Sequence, residues 1–589
     1  MFDIDAELAA EAEAPINEAA DAAPTSNLDI ADHLTQAAAD TSPKLIALMK
    51  RAVKSLKLGD NAAATKLAFK ALNLAPDHAM PNHVMALCLT ELGRLSSALT
   101  FFERAWKLDP KNPEIYMNLG HTAWKLDMLD ASEKFFRIYV EMAPTELNGV
   151  VNLGGVLRDQ GKFEASIEIL RAAIYANPES ALLWNALGTT LLDTGDLAQA
   201  ETFYCEALRL QPTFSRVHHN LAFVKELAGE ADAAIAHFKE ALKAPDNPTD
   251  EVTMTHGLSL ASLTGGYLKE GWDLYAVRLN PLYVNATLFN LDLPMWDGTD
   301  LAKVRGETLL VIGEQGLGDE VLFLEMLGDL IDAVGPDGEV RVACEARLRP
   351  LVQRSFPEVM VDRHFTIARE GREIRATPRH LEDDKVTMWT PMGQPARTLR
   401  QSISAFSGKA FFTPDPVRVQ EFCDQLNAMG PGLKAGLLWK SLKMTAKRSK
   451  SYSPFEAWKP VLNLDGVTFV NLQYGDAEED LERARTEFGV DIQTIEGLDL
   501  KDDLDGVAAL CAALDVVMGP MNATTNLAAA VGAQTWLVHS RPKAWTMLGE
   551  NHLPWYPNAR SYTGAHYRDF TGIMRALASD LQLMTSKAA

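Results

Sequence analysis

The sequence is poor in cations, in paired cysteines and in long apolar runs. Fifty-six Lys and Arg stand against 79 Asp and Glu, a formal net charge of -23, so nucleic acid or an anionic bilayer would meet a repelling mean field. The five cysteines, Cys88, Cys205, Cys344, Cys423 and Cys511, are scattered and include no CxxC pair. That argues against a disulfide framework or thiolate metal cluster and fits a reducing compartment. No apolar run approaches the roughly 18 residues of a membrane helix, and no basic stretch followed by an apolar core opens the chain. A soluble, cytoplasmic protein is expected. There is no GKS or GKT triplet to mark a P-loop. What is present is length: 589 residues exceed one hydrophobic core and imply several domains.

Residues 1–43 hold ten Asp and Glu, no Lys or Arg, and many alanines, a composition that predicts a mobile acidic tail. It is either a solvated leader or a segment that docks on the chain or a partner.

Self-similarity dominates the next two hundred or so residues. Pro76, Pro110, Pro144, Pro178 and Pro212 recur every 34 residues, the period of tetratricopeptide repeats. Other registers keep the same step. Gly120, Gly154 and Gly188 fall in first helices, with Ala64, Ala98, Ala200 and Ala234 opposite them in second helices. Phe102, Phe136, Tyr204 and Phe238 supply bulk, and Gly93, Gly161, Gly195 and Gly229 mark turns. Residues 44–248 therefore read as six repeats forming an α-solenoid that holds another protein, with residues 249–293 as capping helices and linker. Asn118, Asn152 and Asn220 share one position in three first helices, where amides either bind an acceptor peptide's backbone or simply match the repeat consensus.

Beyond Pro294 the pattern changes to strands alternating with helices, the mark of parallel α/β architecture. Strands are expected at 308–313, 339–344, 358–362 and 386–389, then at 434–440, 467–473, 490–494, 514–518 and 535–538. Two sets imply two Rossmann-like lobes, 294–415 and 416–589, with ligands beyond the strands' carboxyl ends.

Three segments at such ends carry candidate chemistry. The first strand runs into Glu314-Gln315-Gly316-Leu317-Gly318-Asp319-Glu320. Gly316 and Gly318 permit close ligand approach, while Asp319 and Glu320 are candidate bases, or Asp319 is a helix cap. Lys440, Lys443, Lys447, Arg448 and Lys450 come after the second lobe's first strand, as an anion site or an exposed charged loop. Gly519-Pro520-Met521-Asn522-Ala523-Thr524-Thr525-Asn526 opens an alanine-rich helix whose N-terminus suits a phosphate or is merely N-capped. Asp503-Leu504-Asp505 spells DxD but reads as a helix start.

These features resemble the bacterial fusions of tetratricopeptide repeats with a GT-B glycosyltransferase domain, related to protein O-GlcNAc transferases and lipopolysaccharide heptosyltransferases. The resemblance spans roughly residues 45 to 575, resting on the repeats, Gly265 to Arg278, Trp296 to Asp319 and Met518 to Pro557. It implies an α-solenoid joined to a GT-B pair of lobes, and a metal-independent inverting enzyme without a resident cofactor. Asp319 matches the family's catalytic base. Thr524 and Thr525 match a donor-phosphate threonine pair, Gln473 a donor-contacting glutamine, and Lys440 and Arg448 donor-side cations. Gly519 and Asn522 fall in the same donor segment. Met521 and Asn526 stand where the family's late segment carries an acidic residue and a histidine, which points to a different donor. The flagellin-modifying members imply flagellin as acceptor and a CMP-linked nonulosonic acid such as pseudaminic acid as donor, with a UDP-sugar the other choice. A scaffold with inactive lobes is the competing reading.

Overall fold

The computed structural model describes residues 42–369, 372–441 and 449–588; residues 1–41 of the acidic tail, Lys443, Lys447 and Arg448 lie outside them, and Pro43, assigned to the tail, opens the first helix. The chain divides into two compact units, one ending at Val224 and including Lys243–Asp246, the other comprising Lys225–Leu242 and everything from Asn247.

The first unit is a stack of helix pairs: Pro43–Lys57 with Asn61–Leu74, then Ala79–Glu91 with Leu95–Leu108, Pro113–Lys125 with Leu129–Met142, Leu147–Asp159 with Phe163–Ala176, and Ala181–Thr194 with Leu197–Leu210. The 34-residue registers explain the packing. A Cβ added to Gly120 would sit 2.6 Å from the Phe136 ring, and one on Gly188 would sit 2.8 Å from Tyr204. Each glycine thus admits the aromatic residue 16 positions on, and each small partner in the second helix is fully buried. Where the alanine register carries Ser132 and Ser166, the hydroxyls donate to Gly120 O and Gly154 O, both at 2.8 Å. Glycines with positive φ close most pairs, and in the third pair Asp127 takes that conformation at φ 58°.

The second unit begins with the helix Ala231–Ala241 and the pair Pro248–Thr264 and Leu268–Tyr275. The last of these helices does more than close a repeat array. Its Trp272, 1% exposed, packs edge-on against Trp555 at 6.1 Å, Trp545 at 6.3 Å and Phe323 at 6.5 Å, and its Nε1 donates to Arg400 O at 2.9 Å. The capping segment is thereby part of the core shared by both lobes.

Twelve strands are described: β1 Leu288–Phe289, β2 Thr308–Ile312, β3 Glu339–Cys344, β4 Met360–Arg363, β5 Phe365–Arg369, β6 Arg372–Ala376, β7 Met388–Pro391, β8 Leu433–Leu437, β9 Val467–Asn471, β10 Val516–Pro520, β11 Thr535–Val538 and β12 Ala559–Tyr562. The first lobe is a parallel sheet in the order β4-β3-β2-β7, and the second a parallel sheet in the order β9-β8-β10-β11-β12. Both orders reverse direction once, beside β2 and between β8 and β10, and such reversals open a crevice at the strands' carboxyl ends. The expected strand at 490–494 is instead a single bridge, in which Asn471 N–H donates to Gln493 O and Gln493 N–H to Phe469 O, each at 2.8 Å. The small sheet β1-β6-β5 and the edge strand β12 add to the expected elements; β12 is four residues long and β1 two, too short for a period-2 signal.

Candidate functional site

A cavity of about 680 Å³ lies at the carboxyl ends of these sheets, walled by both lobes of the second unit, within the size range of small-molecule sites. From the first lobe, the turn after β2 brings Leu317, Gly318 and Asp319. From the second, the turn after β10 brings Met521, Asn522, Thr524 and Asn526, and the end of β11 brings His539, Ser540 and Arg541. The two turns touch: Asn526 Nδ2 donates to Gly318 O at 2.9 Å.

Asp319 occupies the first turn of the helix Leu317–Phe323, where its carboxylate accepts from Gly316 N–H while facing the cavity. Desolvation by the surrounding walls, then repulsion from Glu314, pushes its pKa up to about 6. Glu314 is held in place by Arg278, which approaches it through two hydrogen bonds of 2.8 Å, and by Gly393 N–H at 2.6 Å. A carboxyl that changes charge near neutrality is suited to taking a proton from a hydroxyl.

Opposite stands the N-terminus of the helix Ala523–Ala530. Asn522 caps it reciprocally with Thr525: Asn522 N–H donates to Thr525 Oγ1 at 2.9 Å, and Thr525 N–H to Asn522 Oδ1 at 3.2 Å. The Thr525 hydroxyl also donates to Pro520 O at 2.9 Å. Thr525 is therefore part of the cap, and Thr524 is the threonine on the cavity wall. Three polar atoms of wall residues, Asn522 Nδ2, Asn526 Oδ1 and His539 Nε2, have no hydrogen-bond partner among the described residues. Orphaned polar atoms cost free energy; these three are covered atoms of residues that share one cavity wall. Burial, then the charge of Arg541, holds His539 down at about 4, so its ring is neutral. Arg541 reaches Glu226 of the same unit at 2.7 Å, and Arg347, on the first-lobe wall, donates to Lys501 O at 2.8 Å.

The remaining sequence candidates do not line the cavity. Glu320 is 2% exposed, accepting from Glu345 N–H at 2.7 Å and lying 2.8 Å from His364 Nε2; it braces the strand ends. Gln473 Oε1 accepts from Trp439 N–H and Lys440 N–H at 3.0 and 2.9 Å, fixing the loop after β8. Lys440 Nζ pairs with Asp480 at 2.6 Å. Gly519 is pressed against Leu438, where a Cβ would meet it at 2.7 Å, and Gly316 precedes the Asp319 helix as its N-cap. Of the DxD pair, Asp503 N-caps its helix and binds Arg418, while Asp505 binds Arg354 at 2.7 Å.

The asparagines of the repeats are only 0–3% exposed. Asn118 Nδ2 reaches His83 Nε2 at 3.0 Å, Asn152 Nδ2 reaches His121 Nε2 at 2.8 Å, and Asn220 Nδ2 donates to Asn185 Oδ1 at 3.0 Å. The ladder exists, but its donors are spent stapling each repeat to the one before, so in this conformation the amides are not open to a bound peptide. Arg347, His539 and Arg541 are wall residues that the sequence motifs do not single out; the polar run His539-Ser540-Arg541 at the exit of an apolar strand is the available signal.

Solenoid and cavity together define a tetratricopeptide-repeat protein that carries two Rossmann-like lobes with a ligand-sized cavity. Tetratricopeptide-repeat families match residues 88–127, 113–146 and 151–213. Protein FlbA of Caulobacter vibrioides is 41% identical over 559 residues, 95% of this chain and 91% of that protein: the chain belongs to the FlbA family. The peroxisomal targeting signal receptor of Kluyveromyces lactis is 29% identical over 119 residues, 20% of this chain and 21% of the receptor. Among solved structures, a thermophilic TPR protein of Thermus thermophilus aligns along its whole length with 31% of this chain, at 28% identity and a TM-score of 0.28.

Proposed function

We propose that the chain is a GT-B-type, metal-independent inverting O-glycosyltransferase that recruits a protein acceptor through its repeats and transfers a sugar from a nucleotide donor to Ser or Thr. The observation that carries this reading is Asp319, on the cavity wall with its pKa pushed up to about 6, opposite the N-terminus of the helix Ala523–Ala530 with Thr524 on the wall. Asp319 takes the proton of the acceptor hydroxyl as the oxygen attacks the sugar's anomeric carbon. The nucleotide leaves from the opposite face, and its phosphate charge is stabilised by the helix N-terminus, Thr524 and Arg541. Two arginines on the wall, Arg347 and Arg541, support a donor with two anionic groups, a phosphate and a carboxylate, as in a CMP-linked nonulosonic acid such as pseudaminic acid. The acceptor is flagellin, in line with the resemblance to flagellin-modifying enzymes.

The test is intact-mass measurement of flagellin co-produced with the chain or with Asp319→Asn. A mass increment that the variant abolishes supports the enzyme, and the increment names the sugar. An unmodified flagellin in both cultures would favour the scaffold reading. That reading draws support from Lys440, Gln473 and Thr525, whose polar atoms make internal bonds.

A further inference from the structure

The first helix pair is basic in an acidic chain. Residues 42–74 hold seven Lys and Arg against Asp60 alone. On the helix Pro43–Lys57, Leu45, Met49, Ala52, Val53 and Leu56 form the buried stripe, and Lys50, Arg51, Lys54 and Lys57 fall on the opposite side at helical spacing. Lys66 and Lys70 continue the charge on the next helix, flanking Phe69, which is 56% exposed. Lys50, Arg51, Lys54, Lys66 and Lys70 are all exposed or half-buried and make no ion pair with any described residue.

Forty-one residues precede Ser42, with ten carboxylates and no cation. At ~3.3–3.6 Å per residue that segment reaches up to ~140 Å, against a length of ~22 Å for a 15-residue helix. A tether this short places its acids at about millimolar local concentration. Among the candidate occupants, the chain's own segment has both the matching charge and the proximity.

We propose that residues 1–41 fold back onto the cationic stripe of Pro43–Lys57 and the adjoining Lys66 and Lys70, forming an acidic clasp over the first repeat. This inference does not depend on the proposed catalytic activity.

A Glu-specific protease acting on the full chain tests it, cutting after Glu7, Glu11, Glu13 and Glu18. At about 20 mM salt, where charge acts over more than ~20 Å, tail cleavage should be about three- to tenfold slower in the parent than in Lys50→Gln/Arg51→Gln/Lys54→Gln. Near 0.5 M salt, where that range falls to about 4 Å, the two rates should converge. Equal rates at low salt overturn the proposal. So does protection that grows with protein concentration, since it assigns the surface to a second copy's tail.

Discussion

Arg278 and Glu314 form a two-point ion pair, Nε to Oε2 and Nη2 to Oε1 at 2.8 Å, with side chains 1% and 3% exposed. Arg278 comes from the capping segment and Glu314 from the turn that presents Asp319, so the pair fastens that turn to the helices before it. Removing one partner strands a buried charge, a change that costs about 3–5 kcal/mol. Arg278→Met should therefore lower the urea midpoint sharply, and Arg278→Met/Glu314→Met should recover part of the loss. A double variant no better than the single one would show that the arginine matters by its other bonds, to Tyr275 O and Gln394 Oε1.

Asp319 links pH to stability and, under the proposed mechanism, to transfer. Its folded pKa is raised from 3.8 to about 6, so folding favours the protonated form. That contribution is complete below pH 3.8 and is lost as pH rises through 6. Asp319→Asn should consequently be more stable than the parent at pH 7.5, by roughly 1–3 kcal/mol, with the advantage gone near pH 4. Because Glu314 repels the Asp319 charge, Glu314→Gln should move the acid limb of the proposed transfer to lower pH. Thermal scans at the two pH values check the first expectation, and a pH–rate profile the second.

The repeats were legible because a 34-residue period repeats the same steric problem: Gly120 is small for Phe136 and Gly188 for Tyr204. The parallel lobes were legible from apolar strands with polar exits. The site was legible only in part. Asp319, Gly318, Asn522 and Thr524 lie on the cavity wall, whereas Gln473 and Thr525 do not line it, because a side chain that binds ligand and one that pins a loop or caps a helix look alike in one sequence. Burial of the repeat asparagines depends on how tightly neighbouring first helices approach, which no single repeat encodes.

Arg541 should contribute to anion binding in the cavity. It lines the wall beside the orphaned His539 Nε2, and Glu226, 5% exposed at the side chain, holds its guanidinium at 2.7 Å. Arg541→Gln should weaken binding of a nucleotide by about tenfold, corresponding to roughly 1.4 kcal/mol for one charge-assisted contact. Glu226→Gln keeps the cation but loosens its position and should weaken binding less. Titration calorimetry with CMP distinguishes them; unchanged affinity in Arg541→Gln would remove the residue from the site.

Acid should loosen the repeats, and His121 is one reason. Its Nε2 lies 2.8 Å from Asn152 Nδ2, so the ring nitrogen accepts and must be unprotonated. Burial, then the charge of Lys125, lowers its pKa from 6.5 to about 3. Stability from the neutral ring is present above pH 6.5 and is lost as pH falls toward 3. His121→Gln keeps an acceptor but cannot be protonated, so its urea midpoint should match the parent's closely at pH 7.5 and exceed it at pH 4. Asn152→Ala instead leaves Nε2 unpaired at every pH and should cost about 1–3 kcal/mol throughout. Parallel pH curves for parent and His121→Gln would refute the assignment and place the acid sensitivity elsewhere in the ladder.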